Sequence, residues 1–466
     1  MCPYTSISGH RRSAAGTPGS GRSGRPARVL ALECRVAQPL PPPALPPLPE
    51  LQRLLRTTTE FLAHELGAPH AQAPDWSAAE WYAARAMATV HGVSGLLAGT
   101  LRWSGPPGWR EFLDGQRQAV AARQARIAQL LALIDREARG RGVALVALKG
   151  AALQARGIYQ PGERPMADVD VLVAEAQLEA ASELIRGLGF ASGPVTWKHR
   201  SFDPPRGSRV HPFGESAGNP LKVELHACAR ELLPRRAVDI TAVVLPGELA
   251  PGLHDYPSRP ALLLHVLLHA AGAMLGRTAR LLHLHDIARL VSPMGPADWE
   301  ELFRLGGATA DPTLWWAYAP LTLTEHYFGC VPAPVLTRLR GANRWLLRRA
   351  YRSRRLTDVS ISSLWISAFP GIEWSRSAGE LAGYVVARVR PSPETVRLRG
   401  EFADSQPLVS GGEWARTPQL RRVLRWLRAR QPRQESLSVV QAAFAEPLAP
   451  PGATAGAAAD SRTAAP

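Results

Sequence analysis

The chain has 466 residues, 45% of them apolar, and a formal net charge of +16 at neutral pH. That length holds two or three domains with a sizeable core, and the apolar share is that of an ordinary globular protein. The basic balance invites a nucleic-acid or acidic-membrane partner. However, only three of the 55 basic residues are lysines (Lys149, Lys198 and Lys222), and the wealth of Ala, Gly, Pro and Arg fits GC-rich codon usage equally well.

The four cysteines, Cys2, Cys34, Cys228 and Cys330, form no CxxC pair and show no zinc spacing. A reduced, cytoplasmic compartment is expected. No apolar signal-like segment opens the chain. The most apolar stretch, residues 261–275, is interrupted by His265 and His269 and falls short of the ~20 residues a membrane span needs. No membrane partner is expected.

Residues 1–50 are Arg-, Gly- and Pro-rich, end in LPPPALPPLPE, and are expected to be disordered. Residues 51–137 repeat apolar side chains at three- and four-residue spacing and read as an N-terminal helical region. A core follows over residues 138–246. VALVAL (143–148) reads as a buried strand, and DVDVLV (168–173) as a second. EAQLEAASELIRGLGF reads as an amphipathic helix ended by Gly187 and Gly189. Strand fragments near 195–202, a Gly/Ser/Pro-rich loop near 207–219 and the alternating strand LKVELHA complete the unit. Residues 247–333 are helical again, and 334–446 are Arg-rich and mostly helical, with a strand or irregular piece near 360–374. Residues 447–466 read as a disordered tail. The fold class is therefore α+β, a small mixed-sheet core between helical regions.

The chemistry concentrates in residues 148–173. Asp168 and Asp170 flank Val169, so on an extended strand their carboxylates share a face while the valines turn to the core. Two such carboxylates repel unless a cation lies between them. This points to a magnesium site handling a nucleoside triphosphate. Gly150, at a strand-to-helix turn, fits either a simple turn or a backbone that approaches a phosphate closely. Lys149 and Arg164 are plausible charge partners for phosphate. Glu224 lies on the polar face of its strand. His226 shares that face and reads as a partly exposed histidine rather than a partner of Glu224.

The pattern LKG, then Arg164, Asp-x-Asp-x-Leu-Val and VELH, with LLHLHDIARL beyond, resembles the uncharacterised nucleotidyltransferase family, a branch of the polymerase-β-like superfamily. The resemblance spans roughly residues 121–328. It implies a mixed-sheet nucleotidyltransferase core in which Asp168, Asp170 and Glu224 bind Mg²⁺, with Mn²⁺ as a substitute, and serve catalysis. Lys149, Gly150 and Arg164 would then bind the nucleotide. The implied reaction moves a nucleoside monophosphate from a triphosphate, ATP foremost, to an acceptor and releases pyrophosphate. Many superfamily members carry Gly-Ser at the turn; this chain has Gly150-Ala151, so a hydroxyl contact to phosphate is missing.

Two other readings compete. His265, His269, His283, His285 and Asp286, with Asp298 or Asp311 as a loose later carboxylate, match the outline of an HD-type metal-dependent phosphohydrolase. A catalytically inactive accessory module of a biosynthetic pathway is the other. The arginines between 338 and 355, interleaved with Trp345 and Tyr351, could hold nucleic-acid phosphates, although a solvated helix face is favoured.

Overall fold

The computed structural model describes residues 42–448 except 197, 205–212, 308–312, 405–416 and 429. The expectations of disorder for the terminal segments fall largely outside these residues. Inside them, the first helix already begins within the proline-rich stub, as α1 (Leu48–Gly67).

Helices α2 (Ala78–Val90), α3 (Ser94–Thr100) and α4 (Trp109–Arg141) complete the N-terminal region. Ser77 and Glu80 start α2 with reciprocal side-chain-to-backbone bonds. Gly142 ends α4 at φ 71°, which lets Val143 N–H return to the Ala138 carbonyl at 2.9 Å. The chain then turns directly into the sheet.

Six strands form one mixed sheet in the order β3 (Ala191–Val195), β4 (His199–Asp203), β5 (Lys222–His226), β2 (Asp168–Val173), β1 (Ala144–Ala147) and β8 (Gly252–His254). A small β6 (Arg230–Leu232) and β7 (Ala237–Asp239) hairpin stands apart from it. In β2 the period of two is decisive. Val169, Val171 and Val173 are fully buried in a cluster with Ile127 and Ile134 of α4 and Ala181, Leu184 and Ile185 of α6 (Leu178–Gly187). The opposite face of β2, with Leu172, meets the larger core. That core is dominated by α8 (Arg259–Leu275), whose all-round apolar surface explains its burial.

The larger core is unbroken across the sequence. Leu51, Leu54 and Tyr82 from the N-terminal region join Leu267 of α8, Trp315, Trp374 and Val440. Val440 belongs to a helix over Gln434–Ala445 that packs on α2. That helix and another over Pro393–Asp404 lie in the region read as mostly helical, whereas β6, β7 and β8 were not expected. Among the described residues no strand forms in 360–374, only isolated bridges of Ser360 with Ala279 and of Trp365 with Pro432. No described helix is long and apolar enough to cross a membrane.

Candidate active site

The parallel register of β2 and β5 sets Asp168 beside Lys222 and Asp170 directly beside Glu224. Side chains at paired positions of neighbouring strands share a face. Val223 and Leu225 turn to the α4/α6 core with the β2 valines, so Asp168, Asp170, Glu224 and His226 all stand on the other face. Strand β4 adds His199, opposite His226. Three acidic side chains from two strands thus share one face of the sheet.

Their electrostatics follow from that crowding. Burial raises the Asp168 carboxyl, and the charge of Asp170 raises it further. Glu224 is pushed up to about 8, by burial and then by Asp170 and Asp168. Burial pushes Asp170 the same way, yet Lys149 and a hydrogen bond from His226 hold it well below the usual carboxylate range. Asp170 is accordingly the anchor of the group. Its Oδ1 lies 2.8 Å from His226 Nε2 and its Oδ2 lies 3.4 Å from Lys149 Nζ. Burial would lower the Lys149 ammonium, but Asp170, Asp168 and Glu224 outweigh it and its pKa rises.

His226 corrects its sequence reading. Only 6% exposed, it is a buried partner of Asp170, and its Nε2 is also 3.8 Å from Glu224. His199 Nδ1 lies 3.4 Å from Glu224 and makes no well-formed hydrogen bond. Burial, and then His226, lowers His199 to about 4. Ligand atoms of His199, Glu224 and His226 all lie within 4.8 Å of one another, close enough for one metal ion.

The turn carrying Lys149 and Gly150 is tightly built. Lys149, not Gly150, takes the left-handed conformation, at φ 44°, which a side-chain-bearing residue adopts only under constraint. Lys149 N–H donates to Tyr256 Oη at 3.3 Å, and Tyr256 Oη meets His265 Nδ1 at 2.6 Å. Gly150 is needed for space. A Cβ there would lie 2.5 Å from Arg164 Nη1 and 2.6 Å from Met166 Sδ. The helix it opens, α5 (Lys149–Ala155), has seven residues.

Arg164 has its fork committed. Nε and Nη2 each donate to Asp286 at 2.8 Å, with Nη1 left against Gly150 and 3.4 Å from its own neighbour's Pro165 carbonyl. Tyr159 donates to the same carboxylate at 2.8 Å and meets His285 Nδ1 at 2.9 Å. Asp286 and His285 lie on α9 (Leu281–Val291). The histidines of the hydrolase pattern are likewise engaged: His265 with Tyr256, and His283 Nδ1 as acceptor from Arg280 N–H at 3.3 Å. Burial drives His265 and His269 well below the ordinary histidine value, and Asp170 and Lys149 both act on them. Both imidazoles belong to α8, which packs near Asp170 and Lys149. Asp298 caps its own helix by accepting from Gly295 N–H, and Asp311 lies outside the described residues.

One residue escapes sequence reasoning. Arg280, just before α9, is exposed, and its guanidinium lies within reach of the charges of Asp168 and Glu215. Among the described residues its side chain forms no ion pair. One arginine in a chain this rich in arginine offers no signal by composition or spacing.

The sheet thus presents Asp168, Asp170 and Glu224 on one face, beside the Lys149 turn and the helices α8 and α9. Residues 77–308 match the family model described as uncharacterised nucleotidyltransferase. No curated protein and no solved structure matches it.

Proposed function

We propose that the protein transfers a nucleoside monophosphate from a nucleoside triphosphate to an acceptor, with release of pyrophosphate. The observation that carries this reading is the register of Asp170 beside Glu224, with Asp168 on the same face. The family match supports the general nucleotidyltransferase role; the ion, the triphosphate and the acceptor are our inference.

The donor set fits a divalent cation. Asp168 and Glu224, whose carboxyls are raised by burial and then by the charge of Asp170, gain most when a cation replaces their protons. Asp168, Asp170 and Glu224 would hold Mg²⁺ or Mn²⁺, which would neutralise phosphate charge and favour in-line displacement at phosphorus. The imidazoles of His199 and His226 at the same spot favour Mn²⁺ over Mg²⁺, because nitrogen donors suit the softer ion better.

The chain's own groups supply the rest. Lys149, fixed by its turn, pairs with the triphosphate, and Arg280 at the mouth is a second cation for it. Arg164 acts indirectly: clamped by Asp286, it sets the shape of the Gly150 turn. Asp168, its pKa raised, is the group suited to take the acceptor's proton as the acceptor oxygen or nitrogen bonds to the α-phosphorus and pyrophosphate departs.

The test is incubation with α-labelled ATP, CTP, GTP and UTP, Mg²⁺ or Mn²⁺, and a panel of acceptors. Pyrophosphate release that disappears in Asp170→Asn supports transfer. Orthophosphate release lost in His285→Ala would replace this reading with the hydrolase. Absence of any nucleotide turnover or ion-dependent binding would point to an accessory module.

A further inference from the structure

Helices α11 (Tyr318–Phe328), α12 (Ala333–Ala342) and α13 (Trp345–Tyr351), with the residue after α13, enclose a cavity of about 630 Å³. Arg340, Arg348, Arg349 and Arg352 line it together with Trp345 and Thr322, and no carboxylate does. None of its lining residues belongs to the sheet, α8 or α9, so it is separate from the carboxylate centre.

A solvated helix face and a built anion site differ in where the counter-charges go. Arginines elsewhere on the same stretch are neutralised: Arg338 by Glu300 at 3.3 Å, and Arg354 by Glu373 at 2.5 Å. Among the described residues the four that line the cavity form no ion pair, although all four are exposed. Like charges gathered in a concavity repel, and an anion there removes the repulsion. At the rim, Trp345 leaves 59% of its surface in water, an unusual place for an indole without a partner. Thr322 Oγ1, at the wall, is buried without a hydrogen-bond partner.

We propose that this cavity binds a nucleotide unit, its phosphates held by the arginine cluster and its base stacked on Trp345. The volume lies within the range of small-molecule sites. Guanidinium forks match phosphate oxygens, and an indole stacks any base. The unit can come as a free nucleotide or as part of a single strand.

The full chain is titrated in EDTA, which silences the carboxylate centre, by fluorescence anisotropy with a fluorescein-labelled single-stranded oligothymidylate and, separately, with a fluorescent ATP analogue. Binding of either supports the site; displacement of the oligonucleotide by ATP identifies the free nucleotide as a sufficient ligand, and failure of ATP to displace it identifies the strand as the source. The Arg348→Glu/Arg352→Glu double variant is expected to weaken binding by about tenfold or more. An equal charge change at two exposed arginines of the helix Gln419–Arg428, which does not line the cavity, Arg421→Glu/Arg425→Glu, is expected to alter it by less than about twofold, with melting temperatures checking that both fold. Trp345→Ala weakens binding and Trp345→Phe recovers it. Equal losses in the two double variants, no loss in Trp345→Ala, or displacement by inorganic pyrophosphate as efficient as by ATP would each overturn the proposal.

Discussion

Glu224 is the residue on which the pH behaviour of the centre turns. Its folded pKa of about 8 lies above its ordinary 4.5, so folding favours the protonated form. The metal-free chain therefore keeps this contribution at low pH and loses it as pH rises through about 8. Asp170 works in the opposite sense: held low, it contributes above its ordinary 3.8 and loses that contribution only in acid. A divalent cation competes with the Glu224 proton, so the rise in melting temperature on adding Mn²⁺ is expected to grow from about pH 6.5 to about pH 8.5. A rise that does not change with pH would remove Glu224 from the ligand set. In Glu224→Gln the metal-free chain should gain about 1 kcal/mol near pH 8, read by urea unfolding, while its response to Mn²⁺ falls. That Asp168 and Asp170 share a face opposite the valines was legible from their spacing. The burial of His226 was not, because a strand's polar face looks the same in sequence whether it meets water or another layer.

Among the elements, the Gly150 turn and α9 are tied by a buried ion pair, Arg164 with Asp286. Asp286 neutralises a buried guanidinium that itself abuts Gly150. Removing one partner of a buried pair leaves an uncompensated charge, so Asp286→Ala is expected to cost about 3–5 kcal/mol in chemical denaturation. Gly150→Ala keeps every charge but drives a methyl into Arg164 and Met166, and about 1–3 kcal/mol of destabilisation is expected by the same measurement. If Gly150→Ala is neutral, the glycine is retained for something other than space. This junction was half legible. The KG turn and the HD dipeptide each stand out in the sequence, but nothing local says that the aspartate of one clamps the arginine beside the other, 122 residues away. The same limit hid β8, a three-residue strand whose pairing with β1 is its only sign.

At the scale of the whole molecule, the family-matched segment shares its core with residues outside it. Leu51, Leu54, Leu55 and Leu62 of α1 are buried in the same core as α8, and α1 lies outside residues 77–308. Burying each such side chain contributes about 1.5–3 kcal/mol, so losing all four exceeds much of a domain's net stability. A fragment of residues 77–308 is expected to lack a cooperative thermal transition; a sharp transition by calorimetry would show the segment to be autonomous. The helical regions were readable from their periodicity. Their union into one core was not, since amphipathic helices advertise a buried face without naming what covers it.

The central claim is that Asp168, Asp170 and Glu224 together hold a divalent cation. Titrating Mn²⁺ into the metal-free chain, followed by the loss of the free-ion electron paramagnetic resonance signal, tests it most directly. Saturable binding in the native chain, abolished in Asp170→Asn and strongly weakened in Asp168→Asn and Glu224→Gln, is the predicted result. Equal Mn²⁺ binding in all four proteins, or none in the native chain even with triphosphate present, would contradict it.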